Sequence, residues 1–151
     1  METVIEKPSK QLKELIIINN DRYEGYKTAG EETKDSDLKT LFDAYSNQSK
    51  KFSDELQHML PDNNFAPNPN ETRATGKLYR TFMDIKAALA GKNRKAILSS
   101  CEYGEDTIKK TYDDVLENIG EISKETTEVI RKQRAELQKS HDKIKAMRDS
   151  A

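Results

Sequence analysis

Cysteine is almost missing from this sequence: Cys101 is the single thiol. One thiol cannot close an internal disulfide, so nothing points to an oxidising compartment. Long apolar runs are missing as well. The longest aliphatic stretch, Leu15 to Ile18, is far too short to span a bilayer. Met1 to Pro8 lacks the apolar core and small-residue cleavage site of a signal peptide. A cytoplasmic protein with no membrane association is expected. An excess of one charge is also lacking, since 26 basic and 27 acidic residues leave a net charge of -1. Basic and acidic residues alternate along every segment in the manner of solvated helix faces. Without a basic stripe, nucleic-acid binding is not expected. A Gly-rich phosphate loop, a Cys-x-x-Cys pair and a Ser-His-Asp order are all absent.

What is present is charge and helical periodicity. Charged residues make up 35% and hydrophobic residues 34% of 151 positions, a length that suits one domain. So polar a composition fits long helices, each with one buried stripe and a wide solvated face. The 4 prolines and 6 glycines fall mostly outside the periodic segments. Residues 1–8 read as a loose tail, followed by one bundle domain over 9–151. Helix A is expected from about Ser9 to Thr33, with Leu12, Leu15, Ile16, Tyr23 and Tyr26 on one stripe. Helix B runs from about Asp37 to Leu60 on Leu38, Leu41, Phe42, Tyr45, Phe52 and Leu56. Pro61 to Asn70 is a loop, and a weaker helix follows over about Thr72 to Ala90. Helix C covers about Asn93 to Asn118, and helix D starts near Glu121 or Ser123 and ends at Arg148.

The short A–B connection makes those helices antiparallel neighbours. The long B–C segment, carrying its own helix, is what a bundle needs when C must start at the end where B started. The expected fold is therefore all-α: a ferritin-like four-helix bundle whose one long crossover holds a short fifth helix. The two halves also resemble each other weakly, laying Glu24 on Glu105 and Gln48 on Gln133.

Several stripe positions are polar. Asn19 on A, Ser49 on B, and Gln133 and Ser140 on D, with Gln48 and Lys51 of B where a Glu-x-x-His would be laid in register, predict a hydrogen-bonded polar layer in the core. Each buried group without a partner would cost about 1–3 kcal/mol. Lys51 is expected to bring positive charge to that layer. Glu55-Leu-Gln-His58 is a literal Glu-x-x-His, but His58 lies about 150° from the apolar stripe of helix B and reads as a surface residue. His141 lies about 70° from the stripe of helix D and reads as a partly buried, hydrogen-bonded histidine. Cys101 reads as a small core residue.

Tyr23-Glu-Gly-Tyr26, Phe82-Met-Asp-Ile-Lys-Ala-Ala-Leu89, Cys101-Glu-Tyr-Gly-Glu-Asp106 and Ser140-His-Asp-Lys-Ile144 resemble the DUF2383 family of bacterial ferritin-like four-helix-bundle proteins. The resemblance runs from about Leu12 to Arg148. It implies the fold and no settled activity. Ferritin-like dinuclear centres draw one Glu from each of two helices and Glu-x-x-His from the other two. The matching register here holds mainly amides, a lysine and the glutamates Glu24, Glu105 and Glu136. The expected function is therefore a non-catalytic bundle with a degenerate dinuclear site. Its role would be stress-associated or partner-binding, with no cofactor and with a homo-oligomer or protein partner. The alternative is an iron- or manganese-binding ferritin-like protein with oxidoreductase activity, using Glu24, Glu105 and Glu136.

Overall fold

The computed structural model describes residues 6–60, 76–91, 93–120 and 122–151. They form five helices: α1 Glu6–Glu32, α2 Ser36–His58, α3 Lys77–Gly91, α4 Arg94–Glu117 and α5 Lys124–Asp149. Most of the expected tail, the Pro61–Asn70 loop and the first residues expected in the crossover helix lie outside the described residues. Helix α1 starts at Glu6 rather than Ser9 and takes Pro8 into its first turn, where a missing N–H breaks no intrahelical bond. Asn93 and Ser123 cap α4 and α5: their side chains accept hydrogen bonds from the Ala96 N–H at 3.0 Å and the Thr126 N–H at 3.1 Å. Between those helices Gly120 takes the left-handed conformation, with φ 50.

Hydrogen bonds between helices fix the topology. Arg22 and Asn20 of α1 meet Tyr45, Ser49 and Ser53 of α2 in descending order along α1. Asn19 and Arg22 meet Tyr112 and Glu105 of α4. Tyr45 and Gln48 of α2 meet Ser140 of α5, and the Phe52 carbonyl meets Gln133. Tyr112, Asp106 and Glu102 of α4 meet Gln133, His141 and Arg148 of α5. In every adjacent pair one helix counts up as the other counts down. All four neighbours are therefore antiparallel, and α2 runs parallel to its diagonal partner α4. Arg94, at the first turn of α4, confirms this by pairing with Asp37 in the first turn of α2 at 2.5 Å. Helix α4 starts where α2 starts, so the all-α bundle has one long crossover, the segment that carries α3.

Helix α3 lies outside the four, against α1 and α4. It buries Leu78, Thr81 and Ile85, and Phe82 meets Tyr26 edge-on with ring centroids 5.0 Å apart. Gly25 makes this approach possible, because a Cβ there would overlap the Phe82 ring. Gly25→Ala is therefore expected to lower stability by roughly 1–3 kcal/mol of overpacking, less the gain of about 1 kcal/mol that alanine brings to a helix. Urea denaturation checks this, and Gly25→Ala/Phe82→Leu should recover the loss. A single variant as stable as the parent would show that α3 is not seated on α1.

The core has two apolar halves. At one end Leu12, Leu15, Ile16, Phe52, Leu56, Ile108, Val115 and Leu137 cluster. At the other, Tyr26, Leu38, Phe42, Ile85, Leu98, Cys101 and Ile144 do. Each helix presents residues three and four apart to these clusters. Between the halves, at mid-height, the buried side chains are polar.

Candidate functional site

The mid-height layer is one continuous hydrogen-bonded network across the four long helices. Gln133 of α5 donates through Nε2 to the Phe52 carbonyl of α2 at 3.3 Å and accepts from the Tyr112 hydroxyl of α4 at 2.6 Å. Tyr112 accepts from Asn19 Nδ2 of α1 at 2.8 Å. Asn19 spends its other amide proton on the Leu15 carbonyl at 2.8 Å and accepts from Ser49 Oγ at 3.0 Å. Ser49 accepts from Arg22 Nη1 at 2.8 Å. Arg22 then grips Glu105 of α4 with two bonds, Nε to Oε2 at 2.9 Å and Nη2 to Oε1 at 2.6 Å. The Tyr26 hydroxyl donates to Glu105 Oε2 at 3.2 Å.

Arg22 and Glu105 are 0% and 1% exposed. A buried pair persists only when geometry and extra hydrogen bonds offset desolvation. Here the fork is bidentate, Nη1 also reaches the Tyr45 carbonyl at 3.3 Å, and the guanidinium lies over the rings of Tyr26 and Tyr45, 5.2 and 5.1 Å from their centroids. Burial works against the Arg22 charge. Glu105, by its charge and its hydrogen bonds, more than offsets this and leaves the guanidinium above its ordinary range. Burial, with the negative charge of Glu105 added, pushes the Tyr26 hydroxyl and the Cys101 thiol well up. The same causes raise Tyr45 to about 12. Tyr112 is raised by burial. Cys101 is fully buried in the core, the setting of a structural thiol.

Of the polar residues expected in the core, Asn19, Ser49, Gln133 and Ser140 are buried, Gln48 is half-buried and Lys51 is exposed. Ser140 Oγ shares its proton between Gln48 Oε1 and the Glu136 carbonyl, each at 3.2 Å. Lys51 needs correction: it follows Ser49 by two residues, about 200° round the helix, and so faces out. The cation of the layer is Arg22. The three glutamates do not converge. Glu24 is exposed beside α3, Glu105 is held by Arg22, and Glu136 is half-buried on α5. Glu24 and Glu105 are therefore not equivalent positions of a repeat. His58 is exposed, with Nδ1 2.7 Å from the Asp54 carbonyl.

Among the described residues, one trio of metal-type side chains brings its ligand atoms within 4.8 Å of one another: Glu102 and Asp106 of α4 with His141 of α5. It lies on the α4–α5 flank, outside the core layer. His141 Nε2 stands 3.0 Å from Asp106 Oδ1 and Nδ1 3.1 Å from Asp142 Oδ1. The His141 bond, then that of Gln138, holds Asp142 below its ordinary range. Both trio carboxylates already face cations: Arg148 lies 2.6 Å from Glu102 and Lys109 3.6 Å from Asp106.

A family model described as a domain of unknown function, DUF2383, matches residues 7–118. The chain belongs to the DUF2383 family. No curated protein matches it. The DUF2383 match spans α1 to α4, so Arg22 and Glu105 both lie inside it, while Gln133, Ser140 and His141 lie beyond it.

Sequence reasoning missed Arg22. The signal was there, since Arg22 falls about 20° from Leu15 on the helical wheel. It was also missed that α2 presents Ser46 and Ser53 beside Ser49. Ser46 Oγ donates to the Tyr23 carbonyl at 2.9 Å and Ser53 Oγ to Asn20 Oδ1 at 2.8 Å. With Ser49, which donates to Asn19 Oδ1, they make three serines at helical spacing that tie α2 to α1.

Proposed function

We propose that this chain is a non-catalytic, partner-binding helical bundle in which an internal ion pair stands where a ferritin-like protein would hold two metal ions. One observation carries the reading: the bidentate Arg22–Glu105 pair at mid-height, buried on both sides. A dinuclear site needs several carboxylates and two imidazoles facing inward. The donor set here is one carboxylate, already neutralised, with two amides, a serine and tyrosine hydroxyls. Arg22 places a fixed positive charge and five N–H donors in the space that ions would need. The residues present do not fit the metal centre of the fold, and no metal-dependent step is assigned to the interior.

A second reading has a specific observation behind it: a single divalent ion held at Glu102, Asp106 and His141. The donors suit zinc, manganese or iron, and Asp142 would fix the histidine tautomer by accepting from Nδ1. Such an ion would have to displace Arg148 and Lys109 from the two carboxylates.

The test is elemental analysis of untagged protein expressed with added iron and manganese, together with thermal melts in the presence of iron, manganese or zinc. Metal-free protein with an unchanged Tm is the expected result, because an ion that binds only the folded state must raise stability. Near-stoichiometric metal lost in Glu105→Gln would overturn the reading of the interior. Metal lost in His141→Ala, with the core variant unaffected, would establish the site on the flank.

A further inference from the structure

We propose that the outer face of α5 is the docking surface for an acidic segment of another protein. This rests on the partner-binding reading above and names the surface and the chemistry of the partner.

Helix α5 uses its cations in two ways. Those on the flank toward α4 are spent inside the bundle: Arg134 pairs with Asp113 at 2.7 Å and Arg148 with Glu102 at 2.6 Å. Those on the outer face are not. Arg131, Lys132, Lys139, Lys143 and Lys145 are exposed, and none of them has an ion-pair or hydrogen-bond partner among the described residues. Helices α2 and α4 instead set acids one turn from exposed lysines, as in Lys39–Asp43, Lys50–Asp54 and Lys110–Asp114.

The five cations are ordered. On the helical wheel Lys132, Lys139 and Lys143 lie within about 40° of one another, and Arg131 and Lys145 lie within about 40° of each other on the far side of Ala135 and Ala146. Two rows of cations therefore run either side of a line of short side chains. Asp142 is the exposed acid in that line. Its carboxylate already accepts from Gln138 Nε2 at 2.9 Å and faces His141 Nδ1 at 3.1 Å. From Arg131 to Lys145 the rows cover about 21 Å of helix. That length suits about four turns of a partner helix or about six residues of extended chain.

A short carboxylate-bearing segment matches this face. Five cations without an internal partner supply the attraction, and their two rows supply register. A membrane is a poor occupant, because the line between the rows offers alanines and no large apolar side chain to enter the bilayer. A nucleic-acid duplex is a poor one too. It is a long polyanion that meets far more of the molecule than one helix, and the molecule carries a net charge of -1. A short acidic segment feels only the charges within a Debye length, about 8–10 Å. A second copy meeting this face with its own α5 would oppose like charges.

The test uses fluorescence anisotropy with a labelled glutamate–alanine helical peptide of about 18 residues, about 27 Å as a helix. A lysine–alanine version and a short DNA duplex serve as comparisons. Saturable binding of the acidic peptide alone is expected, weakening with salt. Affinity should fall by about tenfold or more in Lys132→Glu/Lys139→Glu/Lys143→Glu. It should stay within about twofold in Lys27→Glu/Lys50→Glu/Lys110→Glu, which changes the net charge equally on α1, α2 and α4. Circular dichroism confirms that both variants fold, and Lys132→Gln/Lys139→Gln/Lys143→Gln replaces the first if charge reversal unfolds it. The proposal is overturned if the acidic peptide does not bind, if the α5 variant binds it as well as the parent does, or if the two triple variants weaken it equally. A duplex that binds more tightly than the peptide and is lost in the α5 variant would overturn it in favour of nucleic acid. A parent dimer that the α5 variant turns into a monomer in sedimentation would overturn it in favour of self-association. A metal-free, folded chain that ignores the peptide removes this surface and leaves the non-catalytic reading intact. A metal-bound chain removes that reading whatever the peptide does.

Discussion

Arg22→Met should lower the unfolding free energy by about 3–5 kcal/mol, and Arg22→Met/Glu105→Leu should recover most of that loss. The single change leaves the Glu105 carboxylate buried with only the Tyr26 hydroxyl to donate to it. It also strips Ser49 and the Tyr45 carbonyl of a donor. An uncompensated buried charge costs far more than the net worth of the pair. Removing both charges and filling the space with aliphatic groups replaces an offset desolvation by packing, which is often neutral or stabilising. Arg22→Lys should not rescue, because an ammonium cannot make the fork to both carboxylate oxygens while still reaching Ser49. Urea denaturation of the four proteins provides the comparison. If the single and double variants prove equally unstable, the pair matters through its shape and not its charge. A silent Arg22→Met would mean that water reaches the layer.

Stability should also collapse at alkaline pH, beginning near pH 9. In the unfolded chain a thiol loses its proton near 9.0 and a phenol near 10.0, while burial holds Cys101, Tyr26, Tyr112 and Tyr45 above those values in the fold. Between the unfolded and folded values the native state binds more protons than the unfolded state, so stability falls as pH rises. The contribution is fully present below the ordinary values and is lost above them. Each group removes about 1.4 kcal/mol per pH unit past its ordinary value. By pH 11 the thiol is two units and each of the three phenols one unit past its ordinary value, and the four together remove on the order of 7 kcal/mol, comparable with the whole stability of many domains. Urea midpoints measured from pH 8 to 11 show the slope. Cys101→Ala should move its onset up by about one unit, to where the phenols begin. A flat profile would place these hydroxyls in contact with solvent.

Much of the architecture was legible in the residues, for physical reasons. The helices announce themselves through stripes at three and four, and two of them through Asn93 and Ser123 at their starts. The crossover was legible in the length of the segment between α2 and α4, because no short turn could return the chain to the other end. The core layer was half legible: Asn19, Ser49, Gln133 and Ser140 interrupt apolar stripes, and a polar residue on a stripe must find a partner. Arg22 was hidden by the expectation that charge means solvent. Helix α1 touches α2, α3 and α4, so its buried arc is far wider than one stripe, and Leu15 to Ile17 and Asn19 to Arg22 are buried. Lys51 was chosen instead because it stands three residues after Gln48, where the histidine of a Glu-x-x-His would fall, yet it lies two residues past the buried Ser49 and so points away from the core. His141 was expected to be half-buried, and so it is. Its neighbours Glu102 and Asp106 depend on the register between α4 and α5, which no single-helix pattern contains.

The separation of Arg22 from Glu105 by 83 positions bears on how the chain is made. Helices α1 and α2 are adjacent in the chain and are tied by Ser46, Ser49 and Ser53. That hairpin cannot bury Arg22 until α4 has emerged to meet it, and Gln133 closes the network only when α5 follows. An unpaired arginine is costly to bury, so drying of the layer around Arg22 depends on α4 as well as α1 and α2. A fragment ending after α2 would carry Arg22 without the carboxylate that neutralises it in the whole bundle.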